Sequence, residues 1–389
     1  MKIINLSSIA NPISISVQNP SRSDYDRFIG LEHYDSGEPV ITRFQGTELL
    51  TTSAKAFKAN DILIARRNVY LKRAGIVFFD GITSGDSIIL RLKEDTQKTI
   101  GYSREDLIRY IPFMLNSEHF WIYANKHADG MNSKRISKDT LLEYEFELPS
   151  IDEMRDISDK LWAAYRLKEA YKKLLVTTDE MVKSQFIEMF GNPLSLNQKN
   201  ELKRLGECCI LNPRRPNIAL CDTDKVSFIP MPAVSEDGYL VDMTDEEYGK
   251  VKKSFTYFEN NDVLFAKITP CMENGKGAIV HGLTNGIGMG STEFHVLRPI
   301  NGISSPYWLL ALTRMPIFRE RAAKNMSGTG GQKRVSASYL DHFMVGLPAI
   351  EEQRRFEAIY RQADKSKFEL KQCIEHIDKV INLNSATLL

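Results

Sequence analysis

The sequence predicts an α+β protein: two α/β domains separated by two long helices that form an antiparallel coiled coil, arranged as an internal pseudo-twofold repeat. Two observations carry this prediction. The chain resembles itself, in order, at an offset near 200 residues, and the same heptad seam occurs twice in phase with that offset.

The repeat is read from four collinear matches. Leu148-Pro149-Ser150-Ile151-Asp152-Glu153-Met154-Arg155 returns as Leu347-Pro348-Ala349-Ile350-Glu351-Glu352-Gln353-Arg354, at 199. Lys134-Arg135-Ile136-Ser137 returns as Lys333-Arg334-Val335-Ser336, also at 199. Asn60-Asp61-Ile62-Leu63-Ile64-Ala65-Arg66 matches Asn261-Asp262-Val263-Leu264-Phe265-Ala266-Lys267 at 201. Ser84 and Leu90-Arg91 match Ser291 and Leu297-Arg298 at 207. The drift is what loop insertions produce. A period this long means duplicated domains rather than a solenoid.

Each copy has the same internal plan. Residues 62–65 and 263–266 are short apolar runs preceded by Asn-Asp, a turn signal, and read as strands. Residues 88–92 and 294–297 are further strands, and residues 107–120 and 306–321 each read as a short helix. A long helix follows each Leu-Pro step, where proline fits at or just before the first turn. The first long helix is expected to stop at Phe190-Gly191-Asn192-Pro193, with glycine as cap and proline as terminator.

The long helices carry the clearest signal. Ile157, Leu161, Ala164, Lys168, Tyr171, Leu175, Thr178 and Val182 alternate spacings of four and three. Phe356, Tyr360, Ala363, Lys367, Leu370, Ile374, Ile377 and Ile381 repeat them, each 199 residues later. Sustained a/d spacing is the mark of a coiled coil. Lys168 and Lys367 interrupt the seam at the same place, and a polar group there lowers stability while fixing register. Pairing of the two helices is favoured over separate packing because both stripes are narrow and in phase. Such a rod would hold two domains at a set distance, which suits a long ligand with two separated sites, DNA above all.

Composition narrows the class. At ~150 residues per domain, 389 residues give two or three domains. Lys plus Arg is 51 against 50 for Asp plus Glu, a net charge of +1, which disfavours a polybasic protein but permits a basic face. Cys208, Cys209, Cys221, Cys271 and Cys373 form neither a disulfide framework nor a C-x-x-C zinc pattern. The first 20 residues lack a continuous apolar segment, and no apolar run approaches 18 residues. No signal peptide and no membrane span are expected, and a cytoplasmic location is.

The residues then carry a family resemblance. Copy two contains Val226-Ser227-Phe228-Ile229-Pro230-Met231, and 261–276 continues Asn261-Asp262-Val263-Leu264-Phe265-Ala266-Lys267-Ile268-Thr269-Pro270-Cys271-Met272-Glu273-Asn274-Gly275-Lys276. Gly288-Met289-Gly290-Ser291-Thr292-Glu293-Phe294-His295-Val296-Leu297-Arg298-Pro299 follows, and the first long helix ends in Lys183-Ser184-Gln185-Phe186-Ile187-Glu188-Met189-Phe190-Gly191-Asn192-Pro193. Along essentially its whole length the chain resembles the specificity (S) subunit of type I restriction–modification systems. Copy one, through Phe28-Ile29-Gly30-Leu31-Glu32-His33 and the Asp61 strand, is similar more faintly.

The resemblance implies target-recognition domains over 1–147 and 194–346 and conserved helical spacers over 148–193 and 347–389. Each recognition domain would read one half of an interrupted double-stranded DNA target in a phage-defence system. The spacers would set the gap and dock two adenine-N6 methyltransferase (M) subunits, and through them restriction (R) subunits. S-adenosylmethionine, ATP and Mg would belong to those partners, with no cofactor bound and no catalysis performed by this chain. This sequence starts almost directly in its first recognition domain and ends soon after its second helix, which puts extra terminal helical contributions to assembly in doubt.

Enzyme signals are weak beside this. Asn192-Pro193-Leu194 and Asn212-Pro213-Arg214 fail the Asn/Asp-Pro-Pro-aromatic pattern of an adenine methyltransferase. Gly286-x-Gly288-x-Gly290 is followed by a strand-like run, so it reads as a tight turn rather than a phosphate loop. No G-x-x-x-x-G-K-[ST] string and no convincing nuclease constellation occur. Cys271, with His281 or His295 as base, reads as a small semi-buried turn cysteine rather than a nucleophile.

DNA-contact candidates are polar side chains long enough to reach phosphates or base edges. In copy one these are Arg66, Arg67, Lys72 and Arg73 after the 62–65 strand, with Lys134 and Arg135. In copy two they are Lys267, Thr269 and Lys276, with Gln332, Lys333 and Arg334 in the glycine-rich 328–334 loop. Asn325 and Ser327 are weaker. Glu293 and His295 on their strand, and Trp162, Tyr165 and Tyr171 on the rod, read as structural. A net charge of +1 implies weak, salt-sensitive DNA binding by the isolated chain and tighter binding within a complex. The competing reading is a duplicated coiled-coil scaffold with no DNA readout.

Overall fold

The uninterrupted apolar runs at 62–65 and 263–266 are strands because both of their faces are covered. The computed structural model describes residues 2–131, 133–192, 200–329 and 331–386. In strand Ile62–Ala65, Ile62 and Ile64 enter a core shared with helices, while Leu63 and Ala65 enter a separate core with Ile29, Phe57 and Ile89. Strand Val263–Ala266 divides in the same way, Val263 and Phe265 to one core and Leu264 and Ala266 to another. Alternation with period two and burial on both sides yields a run with no polar positions.

The chain forms two units, Met1–Lys172 with Lys371–Leu389, and Lys173–Leu370. In unit 1 a four-stranded antiparallel sheet runs in the order Ala10–Ile13, Ser87–Leu92, Ile62–Ala65, Ala74–Ile76. Unit 2 repeats it as Cys209–Leu211, Phe294–Pro299, Val263–Ala266, Gly277–Ile279. A two-stranded sheet closes each copy, Lys2–Asn5 on Glu145–Leu148 and Glu201–Arg204 on Met344–Leu347.

The copies diverge in their second four-stranded sheet. In unit 1 the edge strand Ile15–Val17 pairs with Ala54–Phe57; in unit 2 the edge strand Thr244–Glu247 pairs with Lys225–Ile229, on the opposite side. The Gly286–Gly290 string belongs here. Thr284–Gly286 is a helical turn, but Ile287–Gly290 is a central strand rather than part of a tight turn. A Cβ at Gly288 would meet the Phe258 ring at 2.1 Å, so this glycine serves close packing.

Each expected short helix is in fact two. Residues 107–120 fall in Arg104–Met114 and Glu118–Lys126, because Ser117 caps a new start by accepting the Phe120 N–H at 3.2 Å. Residues 306–321 fall in Pro306–Arg314 and Pro316–Lys324, where Pro316 has no N–H to continue the first ladder.

The long helices span Ile151–Phe190 and Ile350–Ala386. The first opens with a capping box: Ser150 N–H donates to Glu153 at 3.0 Å and Ser150 Oγ accepts the Glu153 N–H at 3.4 Å. It closes at Gly191, whose N–H donates to the Ile187 carbonyl at 2.8 Å with φ at +74°. Pro193, with the helix stop and the spacer boundary placed there, and Gly330 lie outside the described residues.

Every seam position is buried or half-buried: Ile157, Leu161, Ala164, Lys168, Tyr171, Leu175, Thr178 and Val182 on the first helix, and Phe356, Tyr360, Ala363, Lys367, Leu370, Ile374, Ile377 and Ile381 on the second. In unit 1 Leu161 and Tyr165 share a core with Ile377 and Ile381. In unit 2 Val182, Phe186 and Phe190 share one with Phe356, Tyr360 and Ala363. Early residues of one helix meet late residues of the other, so the pairing is antiparallel. Lys168 bonds Asp378 at 2.5 Å in unit 1, and Lys367 bonds Asp179 at 3.0 Å in unit 2. Those two pairs are 199-residue images of each other.

Candidate nucleic-acid interface

Each copy brings its two candidate basic segments together by the same backbone bonds. In unit 1 the chain leaving strand Ile62–Ala65 meets residues 134–136. Asn68 N–H donates to the Lys134 carbonyl at 2.7 Å, and Ile136 N–H to the Arg66 carbonyl at 3.0 Å. In unit 2 Thr269 N–H donates to the Lys333 carbonyl and Val335 N–H to the Lys267 carbonyl, both at 3.0 Å. A reciprocal pair then closes a loop, Asp129 with Arg135 and Ser327 with Arg334. Gly130 (φ +110°) and Gly328 (φ +144°) turn the chain at matching places; a Cβ at Gly328 would meet the Gln332 carbonyl at 2.3 Å.

An acid stands opposite the loop arginine in both units. In unit 2 Glu293 receives Arg334 Nε and Nη2 at 2.9 and 2.8 Å. The Arg334 guanidinium holds the Glu293 carboxyl below its ordinary range. In unit 1 Asp86 lies 3.8 Å from Arg135 and 3.9 Å from Arg67. Asp86 was not among the sequence candidates, although it matches Glu293 at the 207 offset already seen for Ser84 and Leu90. Ser133, which accepts from Arg67 Nε at 2.9 Å and donates to Asn68, was also missed; short polar residues carry no distinctive pattern.

The other candidates separate by what they touch. Arg73 donates to the Leu31 and Arg67 carbonyls at 3.0 Å, and burial lowers its pKa. Lys72 pairs with Glu118, and Arg66 is half-buried. Thr269 Oγ1 accepts the Lys333 N–H at 2.8 Å and lies within 3.2 Å of the Gly331 carbonyl, so it braces the loop. Lys276 is half-buried just before strand Gly277–Ile279, and its backbone bonds Ala266 and Cys271. Lys134, Gln332 and Lys333 are exposed, and their side chains have no partner among the described residues. Cys271 is half-buried in a turn, and no three His, Cys, Asp or Glu groups converge on a metal-sized site among the described residues. No helix there is long and apolar enough to cross a membrane.

His295 ties the root of the unit 2 loop to the sheet. Its Nε2 donates to the Val335 carbonyl at 2.9 Å, which leaves Nδ1 to accept from the Asn212 amide at 3.0 Å. The Asn212 orientation follows because its Oδ1 accepts the Val296 N–H. Burial is the largest influence lowering the His295 pKa; Lys267 lowers it further, while the Val335 carbonyl and Glu293 oppose. A depressed histidine stabilises the fold fully above the unfolded pKa of ~6.5 and loses that contribution as pH falls below it. Denaturant unfolding at pH 7.5 and 5.5 is therefore expected to show a smaller loss at pH 5.5 in His295→Gln than in the wild type.

A family model, Type I restriction modification DNA specificity domain, matches residues 197–378. That stretch of the chain is similar to the DNA specificity domain of type I restriction–modification systems. The EcoAI specificity subunit of Escherichia coli is 42% identical over 136 residues, 34% of this chain and 23% of that one. The Escherichia coli EcoEI specificity subunit is 37% identical over 166 residues, 42% of this chain and 27% of that one. The matched stretches thus span about a quarter of those relatives. A solved chain from work on assembly and conformational transition of the type I R-M system aligns with a TM-score of 0.56 at 16% identity, covering 100% of this chain and 97% of that one. The S subunit from M. genitalium aligns at 0.53 with 13% identity, covering 100% and 96%. These structural likenesses concern the fold. The match covers copy two and most of the second long helix, and copy one repeats the main sheet and loop of the matched region.

Proposed function

We propose that this chain is the DNA-recognition subunit of a type I restriction–modification complex, with each unit reading one half of an interrupted duplex target. The long helices set the gap and dock two adenine-N6 methyltransferase subunits, through which restriction subunits join. Catalysis, with S-adenosylmethionine, ATP and Mg, resides in those partners. The observation that carries this reading is the duplicated loop: one donor-rich surface built twice, by the same bonds, on a chain similar to a specificity domain over residues 197–378. Exposed Lys134, Gln332 and Lys333 can meet phosphates or base edges.

Co-expression with the partnering adenine methyltransferase, followed by single-molecule mapping of methylated adenines, tests it. The expected result is an asymmetric two-part motif with a fixed gap. A continuous motif independent of this chain, or a stable complex that methylates nothing, would instead support a coiled-coil scaffold.

A further inference from the structure

The two loops share some side chains and not others, and the division follows what each side chain touches. Lys134 and Lys333 are 199-residue images, both exposed, and neither ammonium has a partner among the described residues. The next residue in each copy, Arg135 or Arg334, faces the equivalent acid, Asp86 or Glu293. The residue before the lysine differs: the Ser133 hydroxyl is engaged by Arg67 and Asn68, whereas the Gln332 side chain has no partner among the described residues.

Two half-sites of different sequence have only their sugar–phosphate backbone in common. A feature built identically in both copies can serve that common part; a feature that differs can serve the bases. We propose that Lys134 and Lys333 are a matched pair of sequence-independent phosphate contacts, one per half-site, and that Arg334 is a positioning residue held by Glu293, with Arg135 in the equivalent place 3.8 Å from Asp86. The inference rests on the proposed DNA-reading function. An ammonium is a compact point charge that suits a phosphate oxygen in any sequence context. Arg334, by contrast, has Nε and Nη2 committed to one carboxylate, and its backbone closes the loop that displays Lys333.

The test uses the complex with its methyltransferase. Each of Lys134→Ala and Lys333→Ala is expected to lower the slope of log affinity against log salt by about 1. Binding should weaken several-fold on target and non-target duplexes alike, with the methylated motif unchanged. The double variant Glu293→Gln with Arg334→Gln removes a charge pair without changing net charge. It is expected to weaken target binding with the salt slope unaltered. An unchanged slope in the lysine variants, or a relaxed base at one motif position, overturns the phosphate assignment. A slope lowered by about 1 in the double variant overturns the positioning role. Absence of a two-part motif with the wild-type complex overturns the DNA-reading function itself, a result distinct from these.

Discussion

Asp262→Ala is expected to destabilise unit 2 by about 3–5 kcal/mol, the range for breaking a buried ion pair by removing one partner. The Asp262 side chain is 1% exposed and receives Arg298 Nε and Nη2, both at 2.8 Å. It also accepts the Glu259 N–H at 2.7 Å, which fixes the turn before strand Val263–Ala266. Alanine would leave a part-buried guanidinium with Glu259 at 3.0 Å and the Tyr257 ring as its remaining partners, and an unmet backbone donor. Unit 1 contains the same device: Asp61 receives Arg91 at 2.7 Å twice and the Lys58 N–H at 2.8 Å. Asp61→Ala should therefore cost a similar amount. Urea unfolding of each variant measures both; losses under 1 kcal/mol would show that the pairs are dispensable.

Lys168→Ala is expected to cost about 2–3 kcal/mol, since it removes a buried ammonium from the seam and leaves the half-buried Glu38 without its nearest cation. Lys168 sits in the seam 2.7 Å from Glu38 and 2.5 Å from Asp378, so one ammonium joins both long helices to a loop of the first domain. Burial acts to raise the Glu38 carboxyl, but Lys168 and Lys172 outweigh it and hold the group below its ordinary value. Lys168→Met restores the packing of the stem but not the charge. It should recover part of the loss through that packing alone, since Lys172 reaches Glu38 at 2.9 Å whichever residue stands at 168. Equal losses for Ala and Met would mean that charge alone matters, and a neutral Met that only packing does. Unit 2 keeps the inter-helix pair, Lys367 with Asp179, but adds Asp364 and places Lys367 5.7 Å from the Tyr239 ring centroid where unit 1 has Glu38. The seam lysine is shared, while the domain residue that meets it is not.

Much of this was legible beforehand. Duplication is visible because identical backbone demands kept similar residues at a fixed offset. The seam is visible because period 3.5 is a one-dimensional signal. The central strands are visible because burial on both faces leaves an unbroken apolar run. The helix breaks at Ser117 and Pro316 were legible too, from a cap residue and a missing donor, but needed closer reading than periodicity gives.

The candidate site was legible only in part. Residue type and spacing select Arg334, Lys333 and Thr269 together as donors, since all three can reach DNA in principle. Only the fold places Glu293 on Arg334, commits the Thr269 hydroxyl to its own loop and leaves Lys333 open. The repeat, the strands at 62–65 and 263–266 and the seam could be read from the chain alone, because each depends on local spacing. Tertiary structure decided which of the polar residues are already satisfied, because their partners lie tens of residues away and hydrogen-bond capacity is finite.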